Sequence, residues 1–149
     1  MVWFEKLKYS GEKMDNTEKE KLILKLFKIW NQGNLDIIED VFSTDYIGHY
    51  PHTEIVGIEG IKGMIRFIRG AFQDWHEELK DIIISGEKVV ARFLCTGTHT
   101  GFFMEMAPTG NKVEFEEIAI FLIRNGKVVE QWGVFDSYRM MDQLGALKT

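Results

Sequence analysis

The sequence is poor in the residues that brace small folds. Its 149 residues contain one cysteine, Cys95, and two prolines. A single cysteine excludes an internal disulfide framework and a cysteine-based zinc cluster. No apolar run approaches the ~18 residues that a membrane-spanning helix needs. The opening, MVWFEKLKYSGEKM, is mixed and charged and lacks the apolar centre of a signal peptide. These absences set the expectation of a soluble, cytoplasmic protein without a membrane partner. Basic residues are also outnumbered. The net charge of -5 argues against nonspecific nucleic-acid binding, which depends on Lys and Arg at phosphates. Glycine-rich phosphate loops and the Gly-x-Ser-x-Gly nucleophile turn are missing.

What is present suits one compact domain with a sizeable core, since 45% of the residues are hydrophobic. Residues 1–14 are set apart as an N-terminal extension and residues 15–149 as the domain. Eleven Phe, four Trp and four Tyr either thicken the core or line an aromatic pocket, and composition alone does not separate the two.

Helical spacing comes first along the chain. NTEKEKLILKLFKIWNQGN brings Ile23, Leu26, Phe27 and Trp30 to one face, with Asn16 or Thr17 as the cap and Gly33 as the left-handed exit. A short second helix is expected in NLDIIEDVF. A third is expected in GIEGIKGMIRFIRGAF, where Gly60, Gly63 and Gly70 weaken the helix and suggest close packing on a sheet. Strands follow after Trp75: HEELKDIIISG, EKVVARFLCTGTHTG, NKVEFEEIAIFLIR and GKVVEQWGVFD. Ser85-Gly86 joins the first pair, and Asn125-Gly126, a strong hairpin signal, joins the second. SYRMMDQLG reads as a closing helical turn. Helices followed by strands give an α+β class, with helices packed on one face of a curved antiparallel sheet.

Polar residues on apolar faces are the candidates for chemistry. The strand from Val89 to His99 sends Val89, Ala91, Phe93, Cys95, Gly97 and His99 one way, so His99 ends an inward apolar row. Such a histidine is either a structural group or one whose proton is useful near neutrality. Strict alternation also puts Val128, Trp132, Val134 and Asp136 on one face. Asp136 is then either a desolvated acid/base group or the N-cap of SYRMMDQLG. Glu116 and Glu117 point to opposite faces, and periodicity leaves open which looks inward. His49 and His52 lack a second pair or an acidic helix motif, so no metal is expected.

The run GTHTGFFMEMAPTGNKVEFEEIAIFLIRNGKVVEQWGVFDSYRMMDQLG, with YIGHYP, GIEGIKGMI and FQDWHEEL upstream, resembles the SnoaL-like polyketide cyclases, also called predicted ester cyclases. That family lies in the nuclear transport factor two-like superfamily. The resemblance implies a cone-shaped α+β barrel, a bent antiparallel sheet wrapped around N-terminal helices, with a deep apolar pocket. It implies that Asp136 removes a proton from a carbon next to a carbonyl, that aldol closure follows, and that no cofactor takes part. The enolate oxygen would need a hydrogen-bond donor, for which His99 and His49 are candidates. Trp132 is expected as a stacking wall, and Glu116 and Phe93 as further substrate contacts. The expected partners are a hydrophobic carbonyl compound and a second copy of the chain. The alternatives are a non-catalytic small-molecule carrier on the same fold, and an isomerase or epoxide hydrolase variant.

Overall fold

A computed structural model describes residues 13–147, so the expected extension at residues 1–14 lies almost wholly outside the described residues. Helix α1 spans Asn16–Gln32. Its cap is Asp15, ahead of both expected caps, Asn16 and Thr17. Glu18 N–H donates to the Asp15 side chain at 2.8 Å, and the Glu18 carboxylate accepts from Asp15 N–H at 2.9 Å. This reciprocal pair satisfies two otherwise orphaned donors. Gly33 closes the helix at φ 68°, as its position in the sequence suggests.

The expected short second helix is a 3₁₀ helix at Leu35–Asp40, and Phe42, expected on its apolar side, already belongs to the next strand. Strands β1 (Phe42–Tyr50) and β2 (Thr53–Val56) precede helix α2 (Gly57–Ala71). Then come β3 (His76–Ser85), β4 (Lys88–Thr98), β5 (Lys112–Arg124), β6 (Lys127–Phe135) and the short helix α3 (Ser137–Gln143). Three glycines do not prevent α2 because Ile61 and Ile65 bury its apolar stripe. Of those glycines only Gly60 has a close neighbour, since a Cβ there would stand 3.3 Å from Ile55 Cγ2; a Cβ on Gly63 or Gly70 would meet nothing within 4 Å.

The six strands form one bent sheet in the order β2-β1-β6-β5-β4-β3. All neighbours pair antiparallel except β1 and β6, which run parallel. Asn125 and Gly126 make the β5–β6 turn with φ 51° and 72°, the positive values that an Asn-Gly hairpin supplies. Helix α1 packs on β3, α2 on β1 and β2, and α3 on β5. The core therefore lies between the helices and the inner face of the sheet. Among the described residues, no helix is long and apolar enough to cross a membrane.

Two β-bulges decide which side chains reach that core. On β3, Leu79 opposes Phe93 but Asp81 opposes Arg92, so Lys80 is an extra residue. On β6, Val128 opposes Ile123 but Glu130 opposes Leu122, so Val129 is extra. Each extra residue inverts the alternation beyond it. The expected common face of Val128, Trp132, Val134 and Asp136 is thus corrected: Val128 is buried, whereas Val134 and Asp136 are exposed.

Candidate active site

Between helices and sheet lies a cavity of 610 Å³, within the usual range for small-molecule sites. Trp30 of α1, Phe67 of α2, Phe93 and Phe115 of the sheet, and Met140 of α3 contribute apolar wall. Two carboxyl groups interrupt it. Glu77 on β3 and Glu117 on β5 both line the cavity and are 7% and 8% exposed. Strand β4 separates them: Cys95 pairs with Glu77, and Phe93 pairs with Glu117. The two glutamates thus stand two strands apart on one face, with Phe93 as floor between them.

Each acid is held by neutral donors. Trp75 Nε1 donates to Glu77 Oε1 at 3.1 Å. The Asn31 side chain grips the Glu77 backbone from both sides: its Nδ2 donates to Glu77 O at 3.0 Å, and its Oδ1 accepts from Glu77 N–H at 2.7 Å. Arg69 fixes this corner by donating from Nη1 to the carbonyl oxygens of Trp30, Asn31 and Trp75. On the other side, Tyr46 donates its hydroxyl to Gln131 Oε1 at 2.9 Å, and Gln131 Nε2 donates to the Tyr50 hydroxyl at 2.7 Å. The Tyr50 oxygen is thereby supplied with a donor, which leaves its own proton for Glu117, with which it is hydrogen-bonded. Gly133 makes room for this arrangement, since a Cβ there would overlap the Tyr50 ring.

Burial acts on both acids because a charged carboxylate loses its hydration in such a wall. Desolvation pushes Glu117 up to about 7 against the pull of the Tyr50 hydrogen bond. Desolvation, with the charge of Glu117, pushes Glu77 up to about 8 against the Trp75 hydrogen bond. Burial also pushes the phenols of Tyr46 and Tyr50 up, so both act as donors. The cavity therefore presents one carboxyl that ionises near neutrality and a second that holds its proton longer.

The residues singled out in the sequence are dispersed by the fold. Phe93 lines the cavity. Asp136 is exposed and is not among the lining residues, although its neighbours Phe135 and Ser137 are. Its Oδ1 accepts from Arg139 N–H at 3.0 Å, the N-cap of α3. His99 is fully buried outside the cavity lining. Its Nδ1 accepts from Thr109 N–H at 3.2 Å, so the ring proton lies on Nε2, which has no hydrogen-bond partner among the described residues. Phe72 and Phe103 pack against the ring.

His49, Trp132 and Glu116 belong to the outer side of the sheet. His49 bridges Glu130 at 2.9 Å and Glu54 at 3.2 Å and stacks on Trp132. The hydrogen bond that its ring donates to Glu130 raises its pKa. Glu116 Oε1 accepts from Arg92 Nη1 at 2.7 Å, so Glu117 is the inward member of the pair. None of the three lines the cavity. Among the described residues, no group of three or more His, Cys, Asp or Glu is arranged to hold a metal.

Glu77, Tyr46, Tyr50 and Gln131 belong to the site without being singled out by the sequence pattern. For Glu117 a signal existed: Glu114 and Glu116 share one row of β5, whereas Glu117 shares the other with Val113, Phe115, Ala119 and Phe121. For Glu77 there was none, because counting back by twos from the half-buried Ile84 and Ile82 selects Lys80 and Glu78 instead. Gln131 is hidden in the same way by the bulge at Val129.

The model of the SnoaL-like polyketide cyclase family matches residues 20–144. TsrD from Streptomyces laurentii is 28% identical with a TM-score of 0.83, over 90% of this chain and 99% of that one. IdmH from Streptomyces antibioticus, proposed to be a polyketide cyclase, is 29% identical with a TM-score of 0.75, over 85% and 97% of the two chains. AclR from Streptomyces galilaeus, proposed to be a hydroxylase, is 29% identical with a TM-score of 0.80, over 91% and 85%. No curated protein matches the sequence.

Proposed function

Because the chain belongs to the SnoaL-like polyketide cyclase family, we propose that it binds a hydrophobic carbonyl compound and removes a proton from the carbon beside the carbonyl. Glu117 is the base in this reading, in preference to Asp136. The observation that carries it is the buried Glu117 carboxyl on the cavity wall, hydrogen-bonded to Tyr50 and pushed up to about 7. A base with that pKa is ionised in part at neutral pH and is stronger than an exposed carboxylate. The carbanion electrons move onto the carbonyl oxygen, and attack of the enol carbon on a second carbonyl closes a ring. Met64, Phe67 and Phe121 leave the rest of the substrate an apolar, water-poor wall.

Deuterium uptake in heavy water from β-keto esters and polycyclic ketones tests this. Glu117→Gln is expected to lower uptake at least 100-fold, the scale of a general base, while Asp136→Asn leaves it within a few fold. The opposite ranking would return the base role to Asp136. Binding of the ketones without uptake by the parent protein would leave a carrier.

We also propose a homodimer through the outer sheet face. Ile118 and Val134 are 49% and 67% exposed there, and Ile83 is 63% exposed. Light scattering should give twice the chain mass, and Ile118→Asp should return it to the monomer value.

A further inference from the structure

We infer that Glu77 is a second catalytic residue, a neutral carboxylic acid that gives its proton to the carbonyl oxygen while Glu117 takes the proton from carbon. This deepens the function proposed above and rests on it. The geometry starts from the sheet. Glu77 and Glu117 project from the inner face on either side of β4, at the registers of Cys95 and Phe93. Two interstrand spacings and a two-residue offset along β4 separate their backbones by roughly 12 Å. A flat substrate lying on Phe93 therefore has one carboxyl at each flank, and neither acid must cross the ring to reach it.

Glu77 is positioned as a donor. Trp75 Nε1 occupies its Oε1, and no other hydrogen bond to the carboxyl is found among the described residues. That leaves Oε2 to carry a proton. The Asn31 amide holds the Glu77 backbone, which fixes the direction of the side chain without donating to its carboxyl. No Lys or Arg lines the cavity to favour a second carboxylate. The groups facing Glu77 are Glu117 from β5, Cys95 from β4 and the phenol of Tyr50 from β1, none of them cationic. Leu26 and Trp30 of α1, Ile68 of α2 and Met140 of α3 add only apolar surface, and exposed His52 stands at the β1–β2 turn. In such a wall one ionised carboxylate disfavours a second.

The steps balance. The Glu117 carboxylate forms an O–H bond with the α-hydrogen as the C–H bond breaks. The released pair becomes the enol C=C, and the carbonyl oxygen takes the Glu77 proton. When the enol carbon attacks a second carbonyl, the enol O–H proton returns to Glu77. The new alkoxide takes the proton held by Glu117. Both acids end as they began, and no co-reactant is consumed.

The test has two readouts. In the infrared, without substrate, the parent at pH 7 should show the C=O stretch of a neutral carboxylic acid more strongly than Glu77→Gln, in which only the partly protonated Glu117 remains to give it. The pH profile of deuterium uptake should rise through about 7 and fall above about 8, with the two limbs belonging to the pair rather than to either acid alone. Glu77→Ala should lower uptake about 100-fold. Glu77→Gln still accepts from Trp75 and should lose the alkaline limb. Trp75→Phe removes the bond that favours ionised Glu77, so it should move that limb to higher pH; it serves as the second variant if Glu77→Gln does not fold. A neutral-carboxyl band no stronger in the parent than in Glu77→Gln, or an alkaline limb unchanged in these variants, would overturn the inference. Uptake that survives in Glu117→Gln would instead overturn the function on which it rests.

Discussion

Glu116 and Glu117 are joined by one peptide bond and face opposite sides of the sheet. Glu116 accepts from Arg92 at 2.7 Å among exposed charges, while Glu117 is 8% exposed in an apolar wall. The exposed pair is screened by water and contributes little to stability. The buried acid is pushed up to about 7. One strand thus carries an ordinary surface charge and a candidate base side by side, and the pleat alone separates them.

Stability should fall as pH rises from about 4.3, the usual glutamate value, to about 8. Below that window both the unfolded chain and the fold hold the two protons. Within it the unfolded chain has released them and the fold has not, so the fold loses its advantage as pH rises through the folded values. Above it the penalty is complete, on the order of a few kcal/mol for the pair. Urea unfolding at pH 5 and pH 8 should show this difference, and Glu77→Gln combined with Glu117→Gln should flatten it. Equal pH slopes for parent and double variant would contradict the burial argument.

Gly133→Ala and Gly63→Ala should act in opposite directions. A Cβ at Gly133 would stand 2.8 Å from Tyr50 Cζ and 3.0 Å from Glu117 Oε1, so Tyr50 must move off its hydrogen bonds. A loss of about 1–3 kcal/mol is expected, with weaker ligand binding. Gly63 lies inside α2 with nothing near its Cβ position. Alanine there should stabilise the helix by about 0.5–1 kcal/mol. Thermal melts of the two variants decide.

Asp136→Ala should lose the α3 cap and cost about 1 kcal/mol, whereas Asp136→Asn keeps an acceptor for Arg139 N–H and should melt like the parent. If Asn costs as much as Ala, the carboxylate charge matters beyond capping.

His99→Ala should loosen the segment between β4 and β5. The imidazole accepts from Thr109 N–H and packs between Phe72 and Phe103. Its removal unpairs the Thr109 N–H and leaves a void where the fully buried ring was, a loss of about 2–4 kcal/mol. Hydrogen exchange at Thr109 should speed up far more than exchange at Ala119 in the sheet. Unchanged protection at Thr109 would show that the ring does not hold the loop.

Much of the architecture follows from local pattern. Leu26 and Trp30 mark the buried stripe of α1, Gly33 its left-handed end, and Asn125-Gly126 the β5–β6 turn. The row from Val89 to His99 runs inward over its full length because β4 has no bulge. These features depend on the chemistry of neighbouring residues and the fixed periods of helix and strand.

The candidate site depends on the inverse. Lys80 and Val129 each add one residue to a strand, and sequence spacing carries no mark of either. Beyond Val129, Gln131 turns inward and Trp132 outward; before Lys80, Glu77 faces the cavity. The sequence by itself determined the class of fold, the order of the elements after Trp75 and the family. Only the tertiary structure decided which acids share the cavity, because a bulge is fixed by pairing with a distant strand, and pKa is fixed by what that pairing buries.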